Sequence, residues 1–209
     1  KAIGQPLARL ATQIVLGSSL KELGFTEEIR PSRICVKEAV LPFERFPHSD
    51  AVLGPEMRST GEVMGISTDF GMAFAKATQA ADAMLPLRGT AFVSVNDYDK
   101  QNVVPIVKDL LGLGFSVMAT KGTADYLRRL GLSIRECQRI AVGRPNVIDH
   151  MKNSEIDLII ITPYGKTAHE DEITVRRTAL QLDIPLITTL SGAQAAVLWI
   201  RSLQANRLD

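Results

Sequence analysis

The stretch AFVSVNDYDKQNVVPIVKDLLGLGFSVMATKGTADYLRRLG, residues 91–131, decides the fold. It holds two short apolar runs, AFVSV (91–95) and FSVMAT (115–120), and each run is followed by a stretch whose apolar residues have helical spacing. Apolar runs that alternate with amphipathic helices are typical of parallel strands covered by helices on both faces. The stretch therefore predicts two successive strand–helix units.

The same alternation continues along the chain and predicts three further strands. We expect them at RIAV (139–142), DLIIIT (157–162) and PLITTL (185–190), with helices over 170–183 and 191–203. Five such strands indicate an α/β fold, a five-stranded parallel doubly wound sheet over residues 91–209. In sheets of this kind, ligands bind beyond the carboxyl ends of the strands, where the strand order reverses.

Residues 1–90 have a different character and are expected to form a preceding, mainly helical segment. Helices are predicted over PLARLATQIVLG (6–17), over SSLKELG (18–24) and over TDFGMAFAKATQAADAM (68–84). Residues 31–65 are rich in turn residues and show little periodicity. Because such a stretch rarely forms a core of its own, we expect it to pack on other parts of the protein.

Composition excludes several classes of protein. The 24 Lys and Arg residues balance 23 Asp and Glu residues, which excludes a strongly basic nucleic-acid binder. The apolar runs are far shorter than the ~20 residues of a membrane helix, and no signal-like segment opens the chain. Two cysteines and three histidines offer little material for a disulfide or a zinc site. These features predict a cytoplasmic protein without a metal.

Hydroxyl groups and glycines follow the first two predicted strands of the sheet. Ser94 and Lys100 come at and after the end of the first strand, and the sequence Thr120-Lys121-Gly122-Thr123 leads from the second strand directly into a helix. Hydroxyls, free N–H groups at a helix N-terminus and a lysine charge suit a phosphate. The pattern predicts a pocket for a phosphate-bearing small molecule, although such threonines are also ordinary helix caps. The chain contains neither a P-loop nor a GxGxxG motif.

Several longer motifs resemble the large chain of carbamoyl phosphate synthase. KAIGQPLARLA (1–11), VKEAVLPFERFP (36–47) and above all LGPEMRSTGEVMG (53–65) are similar to the end of its second ATP-grasp half. Residues 91–204 resemble its C-terminal regulatory domain, which shares its fold with methylglyoxal synthase. The resemblance implies two domains, an ATP-grasp remnant with a linker at 1–90 and a methylglyoxal-synthase-like domain at 91–209.

The resemblance also implies an activity for the full enzyme. That enzyme makes carbamoyl phosphate from bicarbonate, glutamine-derived ammonia and two ATP, for arginine and pyrimidine synthesis. Its ATP- and magnesium-binding residues would lie upstream of Lys1, so this chain is expected to have no catalytic residues and no activity alone. The implied partners are the upstream part of the large chain, a glutaminase small chain and further copies of the enzyme, in the cytoplasm or in a eukaryotic organelle.

A regulatory nucleotide monophosphate is the ligand that the resemblance implies for the predicted pocket. Ser94, Lys100, Thr120 and Thr123 fall on positions that match the phosphate site of the family. Arg139 stands where nucleotide-responsive members carry a lysine near the phosphate. The charge is retained there, but an arginine and a lysine are not geometrically interchangeable.

Other positions concern the nucleoside and a second effector. Asp171 matches a position near the nucleotide base, whereas Ile161 and Pro163 replace an asparagine and a hydroxyl residue at the end of the fourth strand. The resemblance therefore implies phosphate recognition but weakened recognition of the nucleoside. Glu38 and Thr188 match positions that bind a second effector, which is ornithine in some bacterial members.

Three classes of function remain open at this point. The first is a regulatory module of a ligase, and the second is a structural domain that helps the large chain to oligomerise. The third is a lyase like methylglyoxal synthase, which needs a carboxylate base beside the phosphate pocket. The segment Val142–Asn146, where that acid is expected, contains none.

Overall fold

The computed structural model describes residues 1–41, 55–162 and 166–205, and for 166–170 it describes the backbone alone. The α-helices in this part are α1 (Leu7–Val15), α2 (Phe70–Ala80), α3 (Lys100–Gly112), α4 (Lys121–Arg129), α5 (Val147–Lys152), α6 (Lys166–Gln181) and α7 (Leu190–Ala205). The strands are β1 (Ile34–Val40), β2 (Gly61–Ser67), β3 (Thr90–Val95), β4 (Ser116–Thr120), β5 (Arg135–Cys137), β6 (Leu158–Thr162) and β7 (Leu186–Ile187).

The last five strands form one parallel sheet in the order β5-β4-β3-β6-β7. The chain starts in the middle at β3, proceeds outward to β5, and then returns to the other side of β3 for β6 and β7. The predicted fold class, a five-stranded parallel doubly wound sheet, is confirmed. The reversal of strand order places a ligand crevice at the carboxyl ends of β3, β4 and β6.

Two hydrophobic cores cover the two faces of this sheet. Leu158 and Ile160 of β6 belong to the core beneath α3, α4 and α7, while Ile159 and Ile161 belong to the core beneath α5 and α6. Every residue of β6 is buried. This burial on both faces explains why the strand reads as an unbroken apolar run instead of an alternating one.

The third strand of the sheet was predicted at the wrong place, because it lies a few residues before the predicted run. The strand is Arg135–Cys137, and the run RIAV (139–142) lies in a turn with Val142 72% exposed. β5 is an edge strand that pairs only with β4 among the described strands, and Cys137 is its one buried residue. An edge strand of this kind needs no apolar run, so its sequence carries little signal.

The first third of the chain contains a hairpin that the sequence does not predict. β1 and β2 pair antiparallel, from Ile34 opposite Ser67 to Val40 opposite Gly61. The predicted first helix is confirmed as α1. The predicted helix over 18–24 is wrong, because that stretch forms only a hydrogen-bonded turn. A single turn is too short to repay the cost of helix nucleation.

Helix α2 joins the hairpin to the sheet domain. Gly65 of β2 lies so close to the backbone of Ala73 that a side chain at this glycine would collide with it. On the side toward α7, the Trp199 indole N–H donates a buried hydrogen bond of 2.8 Å to the hydroxyl of Thr78. The predicted helix over 68–84 is therefore confirmed in a shorter form, packed between two partners. The domain boundary at residue 90 stays a prediction.

Candidate functional site

A cavity of about 540 Å³ opens at the carboxyl ends of the central strands. Its wall includes side chains from the ends of β3, β4 and β6, from the first turn of α4, and from the loop after β5. It is the crevice that the reversal of strand order creates. Six of the predicted effector residues line it: Ser94, Lys100, Thr120, Thr123, Arg139 and Asp171.

The polar end of the cavity, which we call the strand-end corner, consists of Ser94, Lys100, Thr120 and Gly122. The Ser94 and Thr120 hydroxyls lie 3.1 Å apart and share a hydrogen bond across two neighbouring strands. Thr120 is the N-cap residue of α4, yet its side chain makes no capping hydrogen bond to that helix. The first N–H groups of α4 are therefore not capped by Thr120, as an anion site at a helix N-terminus requires.

Thr123 has a structural contact that the sequence does not reveal. Its side chain is buried, and its hydroxyl oxygen lies 3.3 Å from the Val95 amide nitrogen and 3.4 Å from the Val95 carbonyl oxygen. The hydroxyl accepts from the amide and donates to the carbonyl. Thr123 thus fixes the first turn of α4 against the end of β3. This contact holds the residues of the strand-end corner in place.

Lys100 brings a positive charge over the strand-end corner. Its ammonium nitrogen lies 2.6 Å from a carboxylate oxygen of Asp97, and it would lie 3.6 Å from a side-chain carbon placed on Gly122. The Lys100 side chain is 21% exposed, whereas that of Asp97 is 88% exposed. The lysine is therefore held in the cavity wall, while its carboxylate partner lies in solvent.

Arg139 and Asp171 meet on another part of the wall. The Arg139 guanidinium donates to the Asp171 carboxylate at 3.2 Å. The residue predicted near the phosphate, Arg139, and the residue predicted near the base, Asp171, thus form an ion pair with each other. Each of the two cations of the described cavity wall, Lys100 and Arg139, has a carboxylate partner.

The loop after β3 is stiffened by Asn96. The Asn96 amide oxygen accepts hydrogen bonds from the backbone N–H groups of Tyr98 and Asp99, and its amide nitrogen donates to the Asp99 carboxylate and to Thr162. This network holds a 3₁₀ turn at Asp97–Asp99 that carries Tyr98 to the cavity. The sequence analysis did not identify Tyr98 as a cavity residue. An aromatic residue within the polar run NDYD (96–99) is the feature that could have indicated it.

Glu38 and Thr188, predicted for a second effector, lie outside the lining of this cavity. Glu38 is on β1, and Thr188 directly follows β7. One carboxylate oxygen of Glu38 is buried and has no hydrogen-bond partner among the described residues. Burial raises the pKa of the Glu38 carboxyl above its usual value, because desolvation disfavours the charged form. No described contact joins Glu38 to Thr188.

Within the described part of the chain, Cys137 adds no reactive group to the site. Burial raises the pKa of the Cys137 thiol to about 11, so it is protonated and unreactive at neutral pH. Within the described residues, no three His, Cys, Asp or Glu side chains are grouped closely enough to hold a metal ion. Ile161 is buried in the cavity wall, and Pro163 lies outside the described residues.

Residues 102–188 match the family described as MGS-like domain. That stretch runs from the first turn of α3 to the end of β7. It includes the cavity residues on β4 and α4, namely Thr120, Gly122 and Thr123. The crystal structure of methylglyoxal synthase from Elizabethkingia anophelis is 18% identical in sequence, with a TM-score of 0.43, and covers 55% of this chain and 79% of that one.

Similarity that extends over nearly all of this chain is found with carbamoyl phosphate synthase large chains. Those of Nostoc sp. and Synechocystis sp. are 55% and 50% identical over 209 and 210 residues. That of Methanosarcina acetivorans is 45% identical over 204 residues. The matches cover 98–100% of this chain and 19% of each relative, so the chain spans about a fifth of the length of these proteins. Among the described helices, none combines the length and apolar composition that crossing a membrane requires.

Proposed function

This chain belongs to the family of the carbamoyl phosphate synthase large chain, and we propose that it is the effector-binding regulatory region of such an enzyme. The ligand that we propose is a phosphate-bearing small molecule of the nucleotide-monophosphate type. The activity of the whole enzyme, formation of carbamoyl phosphate from bicarbonate, glutamine-derived ammonia and two ATP, is part of the proposal. ATP and magnesium belong, in this proposal, to the rest of the enzyme, which is cytoplasmic.

One observation carries the proposal, namely the convergence of hydroxyls, a helix N-terminus and an ammonium group at one corner of one cavity. Ser94 and Thr120 supply hydroxyls from adjacent strands, and Lys100 lies over Gly122 in the first turn of α4. Backbone N–H groups at a helix N-terminus favour anions because of their partial positive charge. The arrangement suits a phosphate dianion.

An incoming phosphate has to compete with Asp97 for the ammonium group of Lys100. Ion pairs with an exposed partner are worth about 0–1 kcal/mol, and the Asp97 side chain is largely in solvent. A hydrogen bond between a charged donor and a charged acceptor in a partly buried site is worth ~1.5–3 kcal/mol. A dianion that receives N–H groups and hydroxyls as well as the ammonium therefore displaces the carboxylate.

We also propose binding partners for this chain, on the premise that it is part of a carbamoyl phosphate synthase. The relatives named above are about five times as long as this chain, so most of each relative has no counterpart here. Helix α1 has no buried residue, so its apolar side chains are available for packing. We expect the rest of the large chain to pack on the exposed apolar residues of α1, and a glutaminase small chain and further enzyme copies to complete the assembly. An effector at the cavity alters catalysis only if it binds two conformations of that assembly unequally.

A second effector of the ornithine type is proposed at Glu38. Its buried carboxylate oxygen lacks a described partner, and its pKa is raised by burial. A cationic ligand would satisfy the oxygen and stabilise the charged form. Thr188 is the other residue that we assign to this ligand.

Calorimetry tests the proposed phosphate site. The chain is titrated with UMP, IMP, inorganic phosphate and ornithine, and so are two variants, Lys100→Ala and Lys121→Ala. Lys121 lies at the same helix N-terminus, but it is 72% exposed, pairs with Asp125 and does not line the cavity. We expect Lys100→Ala to weaken binding of a phosphate ligand by ~1.5–3 kcal/mol and Lys121→Ala to leave it nearly unchanged. Equal losses in the two variants, or no binding of any phosphate to the parent chain, would contradict the proposal.

A further inference from the structure

The ammonium group of Lys100 is placed where it needs an anion beside it. It lies next to the first turn of α4, 3.6 Å from a side-chain carbon placed on Gly122, and the lysine side chain is 21% exposed. The N-terminus of a helix carries a partial positive charge, which repels a cation. Partial burial also removes some of the water that would otherwise solvate the ammonium. The surroundings of Lys100 therefore favour an anion at the strand-end corner.

Asp97 supplies such an anion from within the chain. One of its carboxylate oxygens lies 2.6 Å from the Lys100 ammonium nitrogen, across the 3₁₀ turn Asp97–Asp99. Asp97 also lines the cavity, although its side chain is 88% exposed. A carboxylate that is tethered three residues from the lysine acts at a high effective concentration. Asp97 therefore competes with dissolved anions for this ammonium group.

The carboxylate of Asp97 disfavours a bound phosphate in two ways. It has to release Lys100 before a phosphate can take its place. After the exchange its negative charge remains on the same turn and repels the bound anion. Both effects are modest, because an ion pair with an exposed partner is weak and water screens exposed charges. Asp97 therefore lowers the affinity for phosphate without preventing binding.

We infer that Asp97 is an internal competitor of the ligand, whose carboxylate occupies the ammonium group of Lys100 and lowers the affinity of the strand-end corner for phosphate. This inference rests on the proposed function, because it concerns the regulation of the same site. It applies to every ligand that places a phosphate in the corner, a nucleoside monophosphate included. A dissolved carboxylate offers Lys100 the same group as Asp97 does, so it gains little by replacing Asp97.

A carboxylate in contact with a lysine has an alternative role, which is to hold the lysine in its binding position. The two roles predict opposite changes in phosphate affinity when the carboxylate is removed. Lys100 is the first residue of α3, and most of its side chain is covered, whereas the Asp97 side chain lies largely in solvent. We therefore expect the cavity wall, and not Asp97, to hold the lysine in place.

Asp97→Asn tests the inference, and Asp99→Asn is the matched control. Each variant removes one negative charge from the same turn and keeps a side-chain oxygen that accepts hydrogen bonds. The Asp99 carboxylate, however, accepts from the Asn96 amide at 2.7 Å and does not line the cavity. Dissociation constants of inorganic phosphate are measured by calorimetry for the 209-residue chain and both variants. We expect Asp97→Asn to bind phosphate about threefold to tenfold more tightly than the parent chain, and Asp99→Asn to differ from it by less than about twofold.

The sign of the change separates the possible outcomes. If Asp97→Asn binds phosphate as the parent chain does, or more weakly, the inference is overturned and the proposed function stands, since phosphate still binds. Weaker binding would identify Asp97 as a residue that positions Lys100. Equal tightening in both variants would also overturn the inference, because a general loss of negative charge would then explain it. If inorganic phosphate binds to none of the three chains, the proposed function itself fails.

Discussion

Helices α1 and α2 have similar apolar content but opposite surroundings. In α1 the residues Leu7, Ile14 and Val15 are 50%, 41% and 85% exposed, and no residue of the helix is buried. In α2 six of eleven residues are buried, and Thr78 receives a buried hydrogen bond from the single tryptophan of the chain, Trp199. The apolar residues of α1 lie mainly on one face, whereas those of α2 are spread more evenly around the helix. One-sided spacing of apolar residues therefore does not decide which of the two helices is buried, and a partner surface does.

The difference lies in how closely the partners approach. α2 has glycine contacts on two sides, through Gly65 of β2 and through its own Gly71, which lies against the backbone of α7 at Leu198. Close approach of backbones buries small side chains such as Ala73 and Ala75 completely. α2 is thus part of the folded body that holds the cavity, whereas the described contacts of α1 leave its apolar face open.

The largest expected effect comes from breaking the close approach of α2 and α7. In Gly71→Ala, the new methyl group would collide with the carbonyl oxygen of Leu198 and with the hydroxyl of Ser202. We expect a loss of about 1–3 kcal/mol in the free energy of unfolding, although alanine is by itself the better helix former. Urea denaturation followed by circular dichroism measures this change.

A matched substitution gives the opposite sign. Gly112 ends α3, and a side-chain carbon placed there meets no atom within 4 Å. Gly112→Ala should leave the stability unchanged or raise it by up to about 1 kcal/mol. If both alanine variants change the stability alike, the close approach at Gly71 is not what holds α2 in place.

A smaller effect is expected at the start of α2. Asp69 is the N-cap residue, and hydrogen bonds from the Ser202 hydroxyl (2.6 Å) and then from the Met72 amide (2.8 Å) lower the pKa of its carboxyl. Asp69→Ala should cost about 0.5–2 kcal/mol at neutral pH. Because the pKa is lowered in the folded state, the carboxylate stabilises the protein above its unfolded pKa, and this contribution is lost as the pH falls through the folded value.

The pH dependence is checked by repeating the unfolding measurement between neutral and strongly acidic pH. The difference between the parent chain and Asp69→Ala should shrink toward acidic pH. Asp69→Asn serves as the control, since asparagine is a good N-cap that does not titrate. A difference that stays constant across the pH range would show that the charge of Asp69 plays no part.

The smallest effect is expected in α1. Val15→Ser replaces an apolar residue that is 85% exposed, so the free energy of unfolding should change by less than about 0.5 kcal/mol. Val107→Ser in α3 is the contrasting variant, because Val107 is fully buried and should lose several times as much stability. A large loss in Val15→Ser would mean that α1 is buried in solution.

The sequence predicts the sheet best where strands are buried on both faces. β6 appears as the run DLIIIT because all five of its residues are buried. β5 is missed because only Cys137 of this edge strand is buried. The hairpin of β1 and β2 is missed because all of its residues except Gly65 are exposed or only partly buried, and because the sequence between the two strands is rich in turn residues. Pairing between distant segments leaves no local periodic signal in such cases.

The candidate site is predictable in location and less so in detail. Because neighbouring parallel strands end at the same edge of a sheet, the sequence predicts that Ser94 and Thr120 lie close together. The structure places their hydroxyls 3.1 Å apart. The direction of the Thr123 hydroxyl toward Val95 and the ion pair of Lys100 with Asp97 depend on side-chain geometry that no spacing rule contains. The effector roles of these residues remain predictions.

The central claim is that the first turn of α4 and the groups around it bind a phosphate. Nuclear magnetic resonance tests it most directly, by following the backbone amide of Gly122 while inorganic phosphate is added to the ¹⁵N-labelled chain. A saturable shift of the Gly122 amide signal, strongly weakened in Lys100→Ala, is the result that the account predicts. Amide signals of this turn that stay unchanged at saturating phosphate would contradict it.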